Sequence, residues 1–499
     1  MSSYTLQEEK PFVQQVIALL ALTALAVGVS AAAWFIWGLR AGWSMFAFIG
    51  LLMPFVLAMV KDVRRFVMWW LLFLIPLGLD YKFFYQRSIS GHSGLAVGTT
   101  EILLCVLVVQ WLISAVRERN QRRIYWFPAI TLPTLALITM AGLSLLAARS
   151  ITLGLFDIAM YVKMLIFFLF LANNLRDQQD VALALSALLL GLVMESGIMV
   201  AQYYTGSALG LVGTEELSNF VAYKRDAQMV LRPGGTVGNV NGFARYLGYI
   251  LPVASILMLT TRERKMFLLS LLAGVGGLVA LILTQSRSVW GAYLIAMLLA
   301  LLFVLMRHLI TLRTLKRMGA ALLLIGGLVF FYGDTVYNRL TGDDHGSAKS
   351  RLTTARVALE IINDHPVIGV GVNNYDSYIR QYWHIEDPFT KIAVVHNNYL
   401  LILAEMGVIG FGAFLWLLAA LLVRTVKAMQ CRVKFFREVA VGLFASVVCF
   451  LLASLADGYK SSLTLMYLFW TIAAITEALI RLDEGWHEQT LEFLIQERS

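Results

Sequence analysis

The sequence has few charged residues and few cysteines, and each shortage excludes a class of protein. Only 14% of its 499 residues are Asp, Glu, Lys or Arg, against about a quarter in soluble domains. Its cysteines, Cys105, Cys431 and Cys449, lie in apolar runs or in a basic segment, which argues against a disulfide framework or a thiol metal site on the outer face. The spacings typical of zinc, EF-hand, Walker and dinucleotide sites are also missing. A soluble enzyme built on one of these sites is therefore excluded.

Long apolar segments take up most of the chain instead. Hydrophobic residues make up 59% of the sequence, and runs long enough to cross a bilayer recur as far as residue 481. Such runs predict α-helices, because a membrane β-barrel would show short alternating strands. We predict an all-α polytopic membrane bundle with 12–14 spans, forming a single integral membrane domain over residues 1–499. The first run lacks a small-residue cleavage site, so we interpret it as a retained helix.

The lower figure of twelve allows for two doubtful runs. Residues 66–79 are short for a span, and the run that begins at residue 12 could lie partly in the interface. The fourteen predicted spans are residues 12–34, 41–60, 66–79, 95–115, 124–147, 151–172, 181–204, 243–261, 266–285, 288–306, 318–332, 395–423, 438–456 and 461–481.

Basic residues alternate along the chain in the way that membrane topology predicts. The net charge of +9 could suit a nucleic acid, but the basic segments each follow a run that can end on one common side. We therefore predict a lipid bilayer and no nucleic acid as partner, and assign the basic side to the cytoplasm. Two long loops, 205–242 and 333–394, then lie on the outer face. The basic segments are 61–65, 117–123, 262–265, 307–317 and 424–437.

The first long loop ends in RPGGTVGNVNGFARYL, residues 232–247. Its glycines, together with Asn239 and Asn241, predict tight turns that lead directly into a span, with Arg232 just before them. Backbone N–H groups at a helix N-terminus and a guanidinium both favour phosphate oxygens, which makes this segment a candidate anion site. A plain helix cap beside a snorkelling arginine is the alternative interpretation.

A second arginine, Arg287, lies in a short outer connection within LTQSRSVWGAYL, residues 283–294. Short outer loops are usually poor in Lys and Arg, so an arginine at this position indicates a contact with an anion. The alternative is an interfacial anchor beside Trp290.

The second long loop contains a segment with helical spacing. It predicts an amphipathic helix on the outer surface that carries Arg351 and Arg356 and ends at Asp364-His365-Pro366. We interpret His365 as a helix-end residue rather than a catalyst. The apolar residues at helical spacing are Leu352, Ala355, Leu359 and Ile362.

His396 opens HNNYLLILAEMGVIG, residues 396–410, where the loop meets the next span. An imidazole can accept a proton near neutral pH, and a helix N-terminus favours its neutral form. Asn397 and Asn398 can cap the helix and bind a hydroxylated ligand, and Tyr399 offers an aromatic face for a sugar. The segment therefore fits either an acceptor-activating base or a satisfied interfacial histidine.

Glu405 lies inside the same apolar run, where a carboxylate must be paired or face a wet interior. It could orient its neighbours or form a purely structural hydrogen bond. Gly407, Gly410 and Gly412 predict close packing with adjacent helices.

Four motifs in this order resemble the O-antigen ligase and polymerase superfamily of bacterial inner-membrane glycan-transfer proteins. The resemblance covers roughly residues 180–425 and implies an all-helical bundle with a periplasmic amphipathic hairpin. It implies an undecaprenyl-diphosphate-linked glycan as donor, diphosphate binding by Arg232 and Arg287, and a periplasmic active site in which His396 is the base. The motifs are RPGGTVGNVNGFARYL, LTQSRSVWGAYL, RLTTARVALEIINDHPVIGVGVNNY and HNNYLLILAEMGVIG.

The residues of the motifs and the family resemblance both predict an inverting glycan transfer. The transfer should need no metal and no cofactor, since two guanidiniums can stabilise the leaving diphosphate. The acceptor stays open: lipid A core for a ligase, another lipid-linked glycan for a polymerase, or Ser or Thr for a protein O-glycosylation ligase. An alternative from another class is a transporter of lipid-linked glycans. A transporter predicts ionisable residues at mid-bilayer, whereas Arg232, Arg287, Arg351 and His396 all map to one face.

Overall fold

The computed structural model describes most of the chain beyond residue 59. The described residues are 60–78, 80–117, 124–207, 209, 223–225, 228–230, 232–306, 311–342, 347–383, 392–456 and 462–496. The chain divides into two compact units, residues 1–66 and 67–499. All candidate site residues lie in the second unit. The predicted span 12–34, and all but the last residue of the span 41–60, lie outside the described residues.

Over the described residues the protein is almost entirely helical. Two short antiparallel hairpins accompany the helices, β1 (Asp80–Phe83) with β2 (Leu95–Gly98) and β3 (Tyr223–Arg225) with β4 (Gln228–Val230). Two 3-10 turns cover Ile75–Leu77 and Leu145–Ala147. The helices are α1 (Val63–Phe73), α2 (Thr99–Arg117), α3 (Pro128–Ser144), α4 (Ile151–Asn174), α5 (Gln178–Thr205), α6 (Val240–Thr260), α7 (Arg264–Thr284), α8 (Arg287–Met306), α9 (Leu312–Thr341), α10 (Ser347–Asp364), α11 (Tyr375–Ile379), α12 (Asn398–Ala428), α13 (Lys434–Ala453) and α14 (Leu463–Gln496).

Ten of these helices are long and apolar enough to cross a membrane, namely α3 to α9 and α12 to α14. This confirms the prediction of a polytopic all-α bundle. Two predicted spans in the described part are shorter than expected. The run 66–79 contains a helix that ends at Phe73 and a 3-10 turn with Pro76, and the run 95–115 begins with strand β2, so its apolar helix covers only Thr99–Ser114.

Three of the predicted basic segments come together on one face of the bundle. Arg317 at the start of α9 donates to the Thr261 carbonyl after the end of α6 at 2.7 Å. Arg424 near the end of α12 forms two 2.6 Å contacts with Glu477 of α14. Helix α13 starts on the face where α12 ends and runs antiparallel to α6. The segments around 262–265, 312–317 and 424–437 therefore share this basic face, as the charge alternation predicts.

The helix after the fourth basic segment is longer than predicted. Helix α9 continues to Thr341, past the predicted end at 332, because the polar continuation GDTVYNRLT contains no proline to stop it.

Burial also separates the spans into inner and outer helices. In the apolar stretches of α6 and α14, 94% of the residues are buried, whereas none is buried in that of α9. Helices α6 and α14 therefore form the centre, and α9 lies at the edge.

Helix α10 forms where predicted, but a different stripe of it is buried. Val357, Ala358 and Ile361 are buried and pack in one cluster with residues of α11 and α12. Leu352 and Leu359 are 56% and 53% exposed, because they lie on the opposite side of the helix. The predicted apolar stripe was therefore only partly correct: its members Ala355 and Ile362 pack at the edge of the cluster.

Candidate active site

The glycine-rich segment before α6 is a tight loop held by two polar side chains of α5. The Gly235 N–H donates to Gln202 Oε1 at 3.0 Å, and the Gly235 carbonyl accepts from Gln202 Nε2 at 3.4 Å. The Thr236 N–H donates to Glu195 Oε2 at 3.0 Å, and the Thr236 hydroxyl donates to Glu195 Oε1. Gly235 has φ of +60°, and a Cβ there would lie 2.5 Å from Glu195 Oε2. This loop therefore requires glycine at that position.

The loop enters α6 through an asparagine cap. Asn239 precedes the helix, and its Oδ1 accepts the Gly242 N–H at 2.6 Å, which satisfies one of the N–H groups that a helix start leaves over. Asn241 lies in the first turn and is half-buried. The helix cap of the alternative interpretation is therefore present, and the neighbouring anion site stays a prediction.

Arg232 joins the first motif to the second. Its side chain is buried, and its Nε and Nη2 both donate to the Thr284 carbonyl, at 2.9 and 2.7 Å. Thr284 is the last residue of α7, and Arg287 is the first residue of α8. The two arginines that the sequence singled out separately are thus brought to the same turn between α7 and α8.

A third arginine, which sequence reasoning missed, supports this turn. Gln285 has φ of +53°, and its carbonyl accepts from Arg339 Nε at 3.0 Å. Arg339 lies in the last turn of α9. The signal that could have identified it is the one used for Arg287, a basic residue on a face expected to carry few of them.

Helices α6, α8 and α13 meet just beneath the arginines. The Ser446 hydroxyl of α13 donates to the Tyr249 carbonyl of α6 at 2.6 Å. A Cβ on Gly248 of α6 would lie 3.1 Å from Cys449 Sγ of α13 and 3.6 Å from Val289 Cγ1 of α8. Since Val289 follows Arg287 by two positions, the C-terminal end of α13 comes to the face that carries Arg287.

Helix α12 begins against that end of α13. The Asn398 N–H donates to the Ser454 carbonyl at 2.9 Å, and the Tyr399 hydroxyl donates to the Leu451 carbonyl at 2.9 Å. Asn397 Oδ1 accepts the N–H groups of residues 399 and 400 at 2.9 and 3.0 Å, so Asn397 caps the helix as predicted. The half-buried His396 immediately precedes this cap and is thereby brought to the face that carries Arg287.

The neighbours of His396 differ in what they can do. Asn398 does not cap the helix: it is fully buried, and neither atom of its amide has a hydrogen-bond partner in the described part of the chain. The Tyr399 hydroxyl already donates to a backbone carbonyl, and the Tyr399 ring lies 6.2 Å from the Phe414 ring. Arg351 is exposed on α10. The ligand contacts expected of these side chains stay predictions.

Helix α12 is interrupted at Gly407, which has φ of +64° and ψ of −172°. The Val408 N–H donates to the Pro366 carbonyl at 2.8 Å instead of to its own helix. A Cβ on Gly407 would lie 2.1 Å from the Val367 carbonyl oxygen. The glycine predicted to pack against another helix therefore packs against the loop that follows α10.

That loop also occupies the helix carbonyls before the interruption. The N–H groups of Val370 and Gly371 donate to the Ala404 and Glu405 carbonyls at 3.0 and 2.9 Å. A Cβ on Gly369 would lie 2.3 Å from the Glu405 carbonyl carbon, so the two segments touch backbone to backbone. The third and fourth motifs are thus one structural unit.

The Glu405 side chain is buried next to this loop. Tyr375 of α11 is buried too, and burial followed by the charge of Glu405 raises the pKa of the Tyr375 hydroxyl. The Glu405 charge therefore disfavours ionisation of this hydroxyl at the start of α11.

The segment between β1 and β2 is anchored on the same loop. Asn373 has φ of +58°, and its Nδ2 donates to the carbonyls of His92 and Leu153 at 2.8 and 2.9 Å. Its Oδ1 accepts from the Ser88 hydroxyl at 2.7 Å. His92 Nδ1 lies 2.9 Å from Asp157 Oδ1 of α4. The connection between β1 and β2 is thus fixed to the loop between α10 and α11.

Part of the chain is similar to a known protein family. Residues 268–415 match the sequence model of a family described as O-antigen ligase, which confirms the resemblance drawn from the four motifs. This stretch contains Arg287, Arg351 and His396, and Arg232 precedes it. No curated protein matches the chain.

Proposed function

From the match of residues 268–415 to the O-antigen ligase family, we propose that this protein transfers a glycan from an undecaprenyl-diphosphate donor to an acceptor hydroxyl. The match supports glycan transfer by a multi-pass membrane protein in general. We assign the reaction to the periplasmic face of the bacterial inner membrane. The observation that carries the proposal is the contact of Arg232 with the Thr284 carbonyl, because it brings both arginines to the face where His396 precedes the start of α12.

Arg232 and Arg287 stabilise the leaving diphosphate. The Thr284 carbonyl orients the Arg232 guanidinium, and a guanidinium has about five N–H donors, enough to hold a carbonyl and to contact phosphate oxygens. Arg287 is the first residue of α8, where the helix dipole also favours an anion. Positive charge at this turn therefore lowers the barrier to departure of the diphosphate.

His396 acts as the base. It takes the proton of the acceptor hydroxyl while the acceptor oxygen bonds to the anomeric carbon. The bond from that carbon to the diphosphate oxygen breaks, and its electron pair leaves with the diphosphate. Attack from the side opposite the leaving group inverts the anomeric configuration. The arginines take the place of a divalent cation, so the proposed reaction is metal-independent and needs no cofactor.

The transporter alternative predicts broken helices whose free backbone groups bind the cargo. Helix α12 is broken at Gly407, but the Ala404 and Glu405 carbonyls beside the break accept N–H groups of the loop after α10. The break thus positions a loop of the same chain, which favours an enzyme over a transporter.

The acceptor is lipid A core for a ligase, another lipid-linked glycan for a polymerase, and Ser or Thr for a protein O-glycosylation ligase. Glycan analysis of a deletion strain separates these readings. Loss of long chains from lipid A indicates a ligase, accumulation of single repeats indicates a polymerase, and loss of protein-linked glycans indicates the third. If the purified protein fails to transfer glycan from a lipid-diphosphate donor to any of these acceptors, the proposal is wrong.

A further inference from the structure

We propose that Glu195 and Gln202 are positioning residues that set the glycine loop and, through it, the Arg232 guanidinium for the donor diphosphate. The inference rests on the proposed function, since it assumes that Arg232 contacts the diphosphate. Neither residue is part of the motifs that carry the family resemblance. Both lie on α5, whereas Arg287 is the first residue of α8.

The two side chains are placed to act together. They are seven positions apart, which is two helical turns, so they lie on the same side of α5. Glu195 and Gln202 are 0% and 1% exposed. Burying a carboxylate and an amide in a membrane helix is costly unless both are satisfied, and here the partners of both are the glycine loop.

The contacts hold two consecutive residues of the loop. Gln202 bonds both backbone groups of Gly235, as a neighbouring strand would, and Glu195 bonds the N–H and the hydroxyl of Thr236. These are four hydrogen bonds to a segment without regular secondary structure of its own. The position of the loop relative to α5 is therefore determined by these two side chains.

The link from the loop to Arg232 is short and stiff. Arg232 is separated from Gly235 by Pro233, whose ring restricts φ, and by Gly234. A Cβ on Gly234 would lie 2.7 Å from the backbone of Asn239, so the loop folds tightly onto the start of α6. A shift of the loop would therefore move the Arg232 guanidinium away from the Thr284 carbonyl. Misplacement of a catalytic group by about 1 Å can lower a rate by about 100-fold.

The test measures diphosphate binding separately from turnover. The purified full-length protein is titrated with farnesyl diphosphate, a short polyprenyl diphosphate. We expect Glu195→Ala and Gln202→Ala each to weaken binding by about tenfold, the effect of losing hydrogen bonds that orient a charged group. Ser196→Ala is the matched control, because Ser196 is buried on the same helix and faces Gly276 instead of the loop. It should bind like the unmodified protein.

A conservative variant and a double variant distinguish positioning from general support of the fold. Glu195→Gln should recover most of the binding, because its amide oxygen can still accept the Thr236 N–H. In an Arg232→Ala background, Glu195→Ala should add little further loss, since the group that it positions is already missing. An equal additional loss there, or undiminished binding in both alanine variants, would overturn the inference.

Three further cases keep the tests separate. If Glu195→Ala fails to fold, Thr236→Val replaces it. This variant keeps the N–H bond to Glu195 and loses the hydroxyl bonds to Glu195 and to the Pro76 carbonyl, and binding equal to the unmodified protein would contradict the inference. If Arg232→Ala and Arg287→Ala both bind farnesyl diphosphate normally, the diphosphate role in the proposed function fails. If these two variants lose binding while the Glu195 and Gln202 variants keep it, only the positioning inference fails.

Discussion

Helices α6 and α12 begin in the same way and are supported in different ways. Each starts with an asparagine cap, Asn239 and Asn397, just after the segment that carries a proposed catalytic arginine or histidine. The loop before α6 is held by the buried side chains of Glu195 and Gln202. Helix α12 is held by backbone contacts, at its start with Ser454 and farther along with the loop that follows α10.

The difference shows that one local signal can be supported by two kinds of tertiary contact. A loop held by side chains tolerates some substitutions of those side chains, because a smaller or neutral side chain can keep part of the hydrogen bonding. Contacts of backbone with backbone do not, because any added Cβ collides with main-chain atoms that have no other position to take. The following substitutions test this comparison.

The largest effect is expected from His396→Ala. Loss of a general base lowers a rate by roughly 10²- to 10⁴-fold, and the protein should keep its normal abundance, because the half-buried side chain precedes the cap. The measurement is glycan transfer from a lipid-diphosphate donor by the purified protein. His365→Ala is the matched control: this histidine directly follows α10, lies beside the Tyr378 ring and should keep full activity. Near-normal turnover by His396→Ala would remove the base from the proposed mechanism.

Substitution of the two arginines should give the second largest loss of activity. Arg232→Lys and Arg287→Lys keep the charge but lose the forked donors, and we expect about a 100-fold loss of transfer for each. Arg356→Lys, on the exposed side of α10, is the control that should retain activity. Full activity in either lysine variant would reduce that arginine to an interfacial anchor.

The backbone contact of α12 is tested by Gly407→Ala. The added Cβ would meet the Val367 carbonyl at 2.1 Å at φ of +64°, and we expect a loss of about 2 kcal/mol or more in the free energy of unfolding. Thermal unfolding in detergent is the measurement. Gly412→Ala, where a Cβ has no neighbouring atom within 4 Å, should leave the stability unchanged. Equal behaviour of the two variants would contradict the backbone contact.

The two caps should be nearly equivalent. Asn239→Ala and Asn397→Ala each remove a side-chain oxygen that accepts helix N–H groups, which costs about 1 kcal/mol. The same unfolding measurement applies to both. A loss at one cap several times larger than at the other would show that the tertiary support, rather than the cap, decides the stability of that helix start.

The smallest expected effect is that of chelation. If the arginines carry the charge of the leaving diphosphate, transfer should be unchanged in EDTA and should not rise when divalent ions are added. Activity that is lost in EDTA and restored by Mg²⁺ or Mn²⁺ would assign part of that charge to a metal, and the roles of Arg232 and Arg287 would have to change.

Much of the fold was predictable because its signals are local. Apolar runs, basic segments and the Asn239 and Asn397 caps depend on residues within a few positions of each other, and each is visible in the sequence. The errors were local as well. Strand β2 shortens one predicted span, and α9 continues into polar residues that hydropathy excludes, since helices do not have to end at the membrane boundary.

The sequence by itself determined that this protein is an all-helical membrane bundle with polar motifs at the starts of α6, α8 and α12. Only the tertiary structure decided that Arg232 lies on the Thr284 carbonyl, that Glu195 and Gln202 hold the glycine loop, and that α12 is broken where the loop after α10 packs against it. Each of these contacts joins residues dozens of positions apart. Hydropathy and spacing indicate whether a residue prefers water or an apolar environment. They do not indicate which residue it contacts, because that depends on which helices pack together.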